Sequence, residues 1–131
     1  MTGETASPFC DVQWRSNCPL SSALDVIGDK WSLLILRDLL VAGDRTYSDF
    51  LGSAEGISTN ILADRLSRLH RYNLVQRDTS NGHRNAPYQL TPAGAALEPV
   101  LRALVEWAAN ELSGGHPTML GLNDVQAGTA D

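Results

Sequence analysis

Between residues 46 and 90 the chain spells out one contiguous unit, and that unit limits the fold more than any other feature. Thr46 can cap a short helix over residues 47–51. A turn holding Gly52 and Gly56 follows, and Ser58 then opens a second helix running to about Tyr72. Leu62, Leu66 and Leu69 recur at spacings of four and three, the stripe of an amphipathic helix. Asn60, Asp64, Ser67 and Arg71 fall on the side opposite that stripe. Asn73 suits the left-handed conformation that ends a helix. Residues 74–78 and 88–91 read as two short strands, with Ser80-Asn81-Gly82 between them, and Asn-Gly is a strong hairpin-turn signal. The order predicts a helix-turn-helix followed by a small β-hairpin wing.

The flanks supply the rest of the core. A first short helix follows Pro19, with Ser21 or Ser22 as cap and Gly28 as its end. Asp29 caps a helix over residues 30–41, whose Trp31, Leu34, Ile35, Leu36 and Leu39 cover so wide a face that it belongs in the centre. Thr91-Pro92 begins the last helical stretch, where Leu97, Leu101, Leu104 and Ala108 form a stripe flanked by Val100, Trp107 and Leu112. Pro99 predicts a kink or break at Glu98. The fold class is therefore mainly α with a β-hairpin wing. One ordered domain is expected over residues 10–112, between a disordered tail over 1–9 and a glycine-rich flexible tail over 113–131.

Composition narrows the function classes. No apolar run reaches the ~18–20 residues that span a membrane, and no secretory signal is visible, so a cytoplasmic protein without a membrane partner is expected. Cys10 and Cys18 are too few for a disulfide scaffold, and His70, His83 and His116 are scattered, so neither a metal site nor a cofactor is expected. There is no nucleophile–base pair and no phosphate-binding glycine loop, which argues against an enzyme. The net charge of −5 hides an asymmetry: residues 58–90 hold five arginines and two acids, a local +3 on a body carrying −8. A basic patch of this kind is a footprint of DNA binding.

In a helix-turn-helix the N-terminal end of the second helix enters the major groove. Here that end is Ser58-Thr59-Asn60, and asparagine can pair two-pronged with adenine. Arg65 and Arg68 follow, suited to backbone phosphates, although Arg65 also lies where it could pair with an acid of its own domain. Arg84, near the hairpin tip, would reach the adjacent minor groove.

Several blocks in order then carry a resemblance. Cys18-Pro19-Leu20, residues 25–39 (DVIGDKWSLLILRDL), Arg45-Thr46-Tyr47-Ser48-Asp49-Phe50, Gly56-Ile57-Ser58, Leu62 with Arg65-Leu66, and Tyr88-Gln89-Leu90-Thr91-Pro92 together resemble the HxlR-type regulators. These are bacterial winged helix-turn-helix proteins related to the MarR group. The resemblance implies a homodimer paired through the first and last helices, here Leu20 and Leu24 with Leu97, Leu101, Leu104 and Trp107. It also implies that Arg45, with Thr46 beside it, lies against the DNA backbone. Some such regulators sense oxidants or electrophiles through a cysteine at the position of Cys18, and a helix N-terminus favours the reactive thiolate. The alternative for Cys18 is a small buried hydrophobe. The chain departs from the pattern at Asn73, where glycine is common, and at Asp64, which would repel phosphate unless it accepts from a cytosine amino group.

The expectation is a regulator, with repression the commoner mode, that binds an inverted-repeat operator in double-stranded DNA as a homodimer. Two other readings stand beside it. One is a regulator controlled by a small-molecule effector at the dimer interface, with Trp14, Trp31 and Trp107 lining a pocket. The other is a winged-helix module that binds protein.

Overall fold

The computed structural model describes residues 7–9 and 12–112, and most of its elements begin at the caps read from the sequence. Helix α1 spans Pro19–Ile27, α2 Lys30–Ala42, α3 Tyr47–Leu51 and α4 Thr59–Arg71. Strands β1 (Val75–Arg77) and β2 (Tyr88–Leu90) follow, then α5 (Pro92–Ala95) and α6 (Glu98–Glu111). Cys10, residues 1–6 of the tail expected over 1–9, and the whole tail expected over 113–131 lie outside the described residues.

Each cap answers the unpaired amides of a helix's first turn. Asp29 accepts from the Ser32 amide at 2.9 Å, Ser58 from the Ile61 amide at 3.3 Å and Thr91 from the Gly94 amide at 3.0 Å. Thr46 and Asp49 satisfy one another reciprocally in a capping box. Helix α1 departs from expectation, because neither Ser21 nor Ser22 caps it. Cys18 holds the cap position without a side-chain bond, and Pro19 is the first helical residue. Proline's fixed φ starts a helix there, and its missing N–H would have had no partner anyway.

The core is built on α2. Ile35, Leu36 and Leu39 meet Phe50 of α3, the predicted stripe Leu62, Leu66 and Leu69 of α4, and Val75 of β1. Asn73 has φ of 62°, the left-handed turn that releases α4 into β1. The turn between α3 and α4 is pinned to α2 by charge: Arg37 donates to Glu55 at 2.7 and 2.9 Å and to Asp38, which also accepts from the Ser53 hydroxyl at 2.6 Å. The bond to Glu55 raises the proton affinity of the Arg37 guanidinium and lowers that of the Glu55 carboxyl.

The wing is shorter than the sequence suggested. Val75, Gln76 and Arg77 pair antiparallel with Leu90, Gln89 and Tyr88. The tight Asn-Gly turn does not form, and residues 78–87 make a long loop instead. Pro87 has no N–H with which to extend the ladder, and Asn85 adopts a left-handed φ of 56°. Asn81-Gly82 closes only a local turn, with the Gly82 amide donating to the Thr79 carbonyl at 2.9 Å. The last helical stretch is broken, but at Ala96 and Leu97 rather than at Glu98, which is already helical: Pro99 sits in the first turn of α6, where its missing N–H has no intrahelical partner to lose. Gly94 lets α5 approach the residue that leads into β1, since a Cβ there would lie 2.1 Å from the Leu74 carbonyl oxygen.

Candidate nucleic-acid interface

The open end of α4 is prepared by its neighbours. Tyr47 of α3 donates its hydroxyl to the Thr59 carbonyl at 2.8 Å and so fixes the two helices of the motif against each other. Ser58, Thr59 and Asn60 are exposed there, and the Asn60 amide makes no hydrogen bond among the described residues. Its donor and acceptor are both free at a helix N-terminus, where the unpaired amides also favour a phosphate. Beside this end, Thr46 is taken up by its capping box, whose backbone bond holds the Asp49 carboxyl below the ordinary carboxylate range.

Arg45 carries a feature the sequence did not signal. Its amide donates to the Tyr88 carbonyl at 3.1 Å and its carbonyl accepts from the Tyr88 amide at 2.7 Å. The chain just before α3 thus runs as a third segment along the wing and ties α3 to β2. The Arg45 Nε is buried without an acceptor, so no carboxylate claims that donor.

The other arginines divide by what already holds them. Arg65 gives its Nε to Asp29 at 2.9 Å and also pairs with Asp64, so it braces α4 against the start of α2. Its bond to Asp29 raises its proton affinity. Asp29 is the junction: burial pushes its carboxyl up, but the Ser32 amide and hydroxyl and Arg65 together bring it below its ordinary value. Arg68 stands 3.9 Å from the same carboxylate, close enough for attraction but too long for a hydrogen bond. Arg77 donates to the carbonyls of Ala86 at 3.2 Å and His83 at 3.4 Å, and its guanidinium lies 5.0 Å over the Tyr88 ring. It therefore stiffens the wing. Arg71 and Arg84 are exposed.

A groove of about 280 Å³ separates α4 from the wing, lined by Tyr47, Ala63, Ser67, His70, Arg77 and Tyr88. Trp14 and Trp31 have different neighbours within the protomer. Trp31 borders a small cavity with Leu34, Ile35 and Phe50, whereas Trp14 packs on Phe9 with ring centres 6.1 Å apart. Phe9 in turn stacks on Tyr72 with ring centres 5.5 Å apart. No cluster of three or more His, Cys, Asp or Glu side chains that could hold a metal occurs among the described residues.

The residues expected at a dimer interface behave in two ways. Leu101 is 5% exposed and belongs to the protomer's own core, with Leu97 packed against it. Leu20, Leu24, Leu104 and Trp107 are 68%, 48%, 49% and 58% exposed. Ile27 alone is buried in α1, and Leu101 alone in α6. Cys18, at the head of α1, is an exposed free thiol, not the buried hydrophobe of the alternative reading.

This arrangement has counterparts. The HxlR-like helix-turn-helix family model matches residues 26–115. An uncharacterized HTH-type transcriptional regulator of Synechocystis sp., sll1512, is 34% identical over 88 residues, which is 66% of this chain and 64% of the relative. The chain thus spans a little under two thirds of that relative's length. The crystal structure of PA1607, a candidate transcription factor, superposes with a TM-score of 0.67 at 36% identity, over 74% of this chain and 67% of that one. The redox regulator HypR in its oxidized form superposes with a TM-score of 0.63 at 28% identity, over 72% of this chain and 97% of that one.

Proposed function

The chain belongs to the HxlR-like helix-turn-helix family of transcriptional regulators, which are not enzymes, and on that premise we propose that it is a repressor binding an inverted-repeat operator as a homodimer. The observation that carries this reading is the free Asn60 amide on the exposed first turn of α4, beside the Ser58 cap. Arg68, Arg71 and Arg84 supply charge for the phosphates, and Arg65 contributes by holding α4 in place. The exposed apolar side chains of α1 and α6 would pair two protomers, so that two recognition helices meet half-sites about one helical turn apart.

The reading is tested by measuring affinity for the protein's own promoter against an unrelated duplex across a salt series. Selective binding that weakens steeply with salt is expected. Asn60→Ala is expected to cost about 1–3 kcal/mol at the operator and nothing on the unrelated duplex, because it removes a base contact and leaves the phosphate contacts alone. Equal losses on both duplexes would remove Asn60 from base reading.

Cys18 is the proposed point of control. Its thiol is exposed, it heads a helix of the proposed dimer face, and HypR is a redox regulator of the same fold. Alkylation or oxidation of Cys18 is expected to change operator affinity, and Cys18→Ser to abolish the response. An affinity unmoved by thiol modification would leave an effector of another kind.

A further inference from the structure

We propose that Phe9, Trp14 and Arg15, which precede α1, are positioning residues for α4. They form a clasp that fastens the C-terminal end of that helix to α1, and through α1 to the proposed dimer face. The inference rests on the reading of a DNA-binding dimer and deepens it. Two half-sites at a fixed spacing require each α4 to keep one attitude relative to the axis between the protomers. The buried stripe Leu62, Leu66 and Leu69 anchors α4 along its length, and Tyr72, the residue that ends the helix, lies beyond that stripe.

The clasp is a chain of contacts that begins at Tyr72. Phe9 stacks on the Tyr72 ring with the two planes 17° apart, and Trp14 lies tilted by 38° against Phe9. Both ring separations fall in the range where aromatic pairs attract. Arg15, next in the chain to Trp14, is bound to α1. Its Nε donates to one oxygen of Asp25 at 2.5 Å, and its amide donates to the other at 3.3 Å. An exposed ion pair alone contributes little, but the amide bond also fixes the backbone that carries Trp14. The links act in series, so releasing either end frees the end of α4. All of them except Tyr72 lie ahead of residue 26, where the match to the family begins.

A tether in series makes a sharp prediction, because breaking it twice costs no more than breaking it once. In the full chain, Phe9→Ala releases the Tyr72 end and Asp25→Ala the α1 end; neither side chain belongs to the buried core. Each is expected to speed hydrogen exchange of the Tyr72, Asn73 and Leu74 amides, which close the end of α4, roughly tenfold in the absence of DNA. Each is expected to weaken operator binding about tenfold and to leave binding to an unrelated duplex unchanged, since the phosphate contacts adapt to a displaced helix. The double variant is expected to match either single one, and Phe9→Tyr, which keeps the stack, to behave as the unsubstituted protein. Thermal unfolding of each variant reports whether it is folded. If Asp25→Ala leaves the exchange of these amides unchanged, or if the two losses multiply, the clasp is overturned while the DNA-binding reading stands. Faster exchange with undiminished operator affinity would overturn the positioning role. If the unsubstituted protein does not prefer an operator to an unrelated duplex, the DNA-binding reading falls and the positioning role with it, whatever the exchange shows.

Discussion

Trp107→Glu in α6 is expected to leave the protomer folded, to make it monomeric, and to cost operator affinity of order 10²–10⁴-fold, the range that linking two binding sites typically contributes. The side chain is 58% exposed, so the substitution removes little from the protomer's own core. What it removes is a candidate for the interface. Helix α1 buries only Ile27, and an isolated nine-residue helix is marginal in water even with good propensity. Leu20 and Leu24 on that helix, and Leu104 and Trp107 on α6, are large apolar groups left in solvent on elements that pack weakly against the rest. A second copy of the chain would cover them and add to the stability of both helices. A glutamate at the centre of such a face would be buried without a partner, which association cannot tolerate. Sedimentation at several protein concentrations, beside operator binding, checks this. A variant that stays dimeric and binds normally would place the interface elsewhere. A monomer that binds the operator with undiminished affinity would remove the need for a dimer.

What the sequence revealed was local. Asp29, Thr46, Ser58 and Thr91 were legible as caps because each bonds an amide three residues away. The Leu62–Leu66–Leu69 stripe was legible because its period is that of the helix itself. The wing was misread at its turn, because Asn81-Gly82 carries the signal of a tight hairpin while Asn85 and Pro87, nearer the second strand, decide where the ladder stops. The contacts that assemble the candidate interface were invisible for another reason. Arg45 with Tyr88 and Arg37 with Glu55 join residues far apart in the chain, and no periodicity encodes such a pair; for Arg65 the sequence offered an acid of its own domain but not that the acid is Asp29. The sequence showed a basic patch. The structure separates the arginines that build the site from those left open to a ligand.

That separation is sharpest at Asp29, and Asp29→Ala is expected to destabilise the protein by about 2–4 kcal/mol. The first part of the loss is the cap of α2, worth about 0.5–2 kcal/mol. The second is Ser32, which is 1% exposed and gives its hydroxyl to Asp29 at 2.8 Å; a buried hydroxyl left without its partner costs about 1–3 kcal/mol. The third is Arg65, which would keep only Asp64 and would no longer hold α4 to the start of α2. Asp29→Asn separates these parts, because its amide oxygen can still cap the helix while the charge facing Arg65 and Arg68 is gone. It is expected to lose less than the alanine variant. The two also differ from the unsubstituted protein in acid. The Asp29 carboxyl titrates below its ordinary value of 3.8 in the folded chain, so its stabilisation is complete above that pH and fades as the pH falls through the lower folded value. Asp29→Asn has no carboxylate to lose there, and the stability gap between it and the unsubstituted protein should narrow below pH 3.8. Denaturant midpoints at neutral and acid pH measure both effects. An alanine variant as stable as the parent would mean that α2 and α4 are held by their apolar faces alone. A gap of constant width across the acid range would mean that the charge on Asp29 contributes nothing to holding the recognition helix.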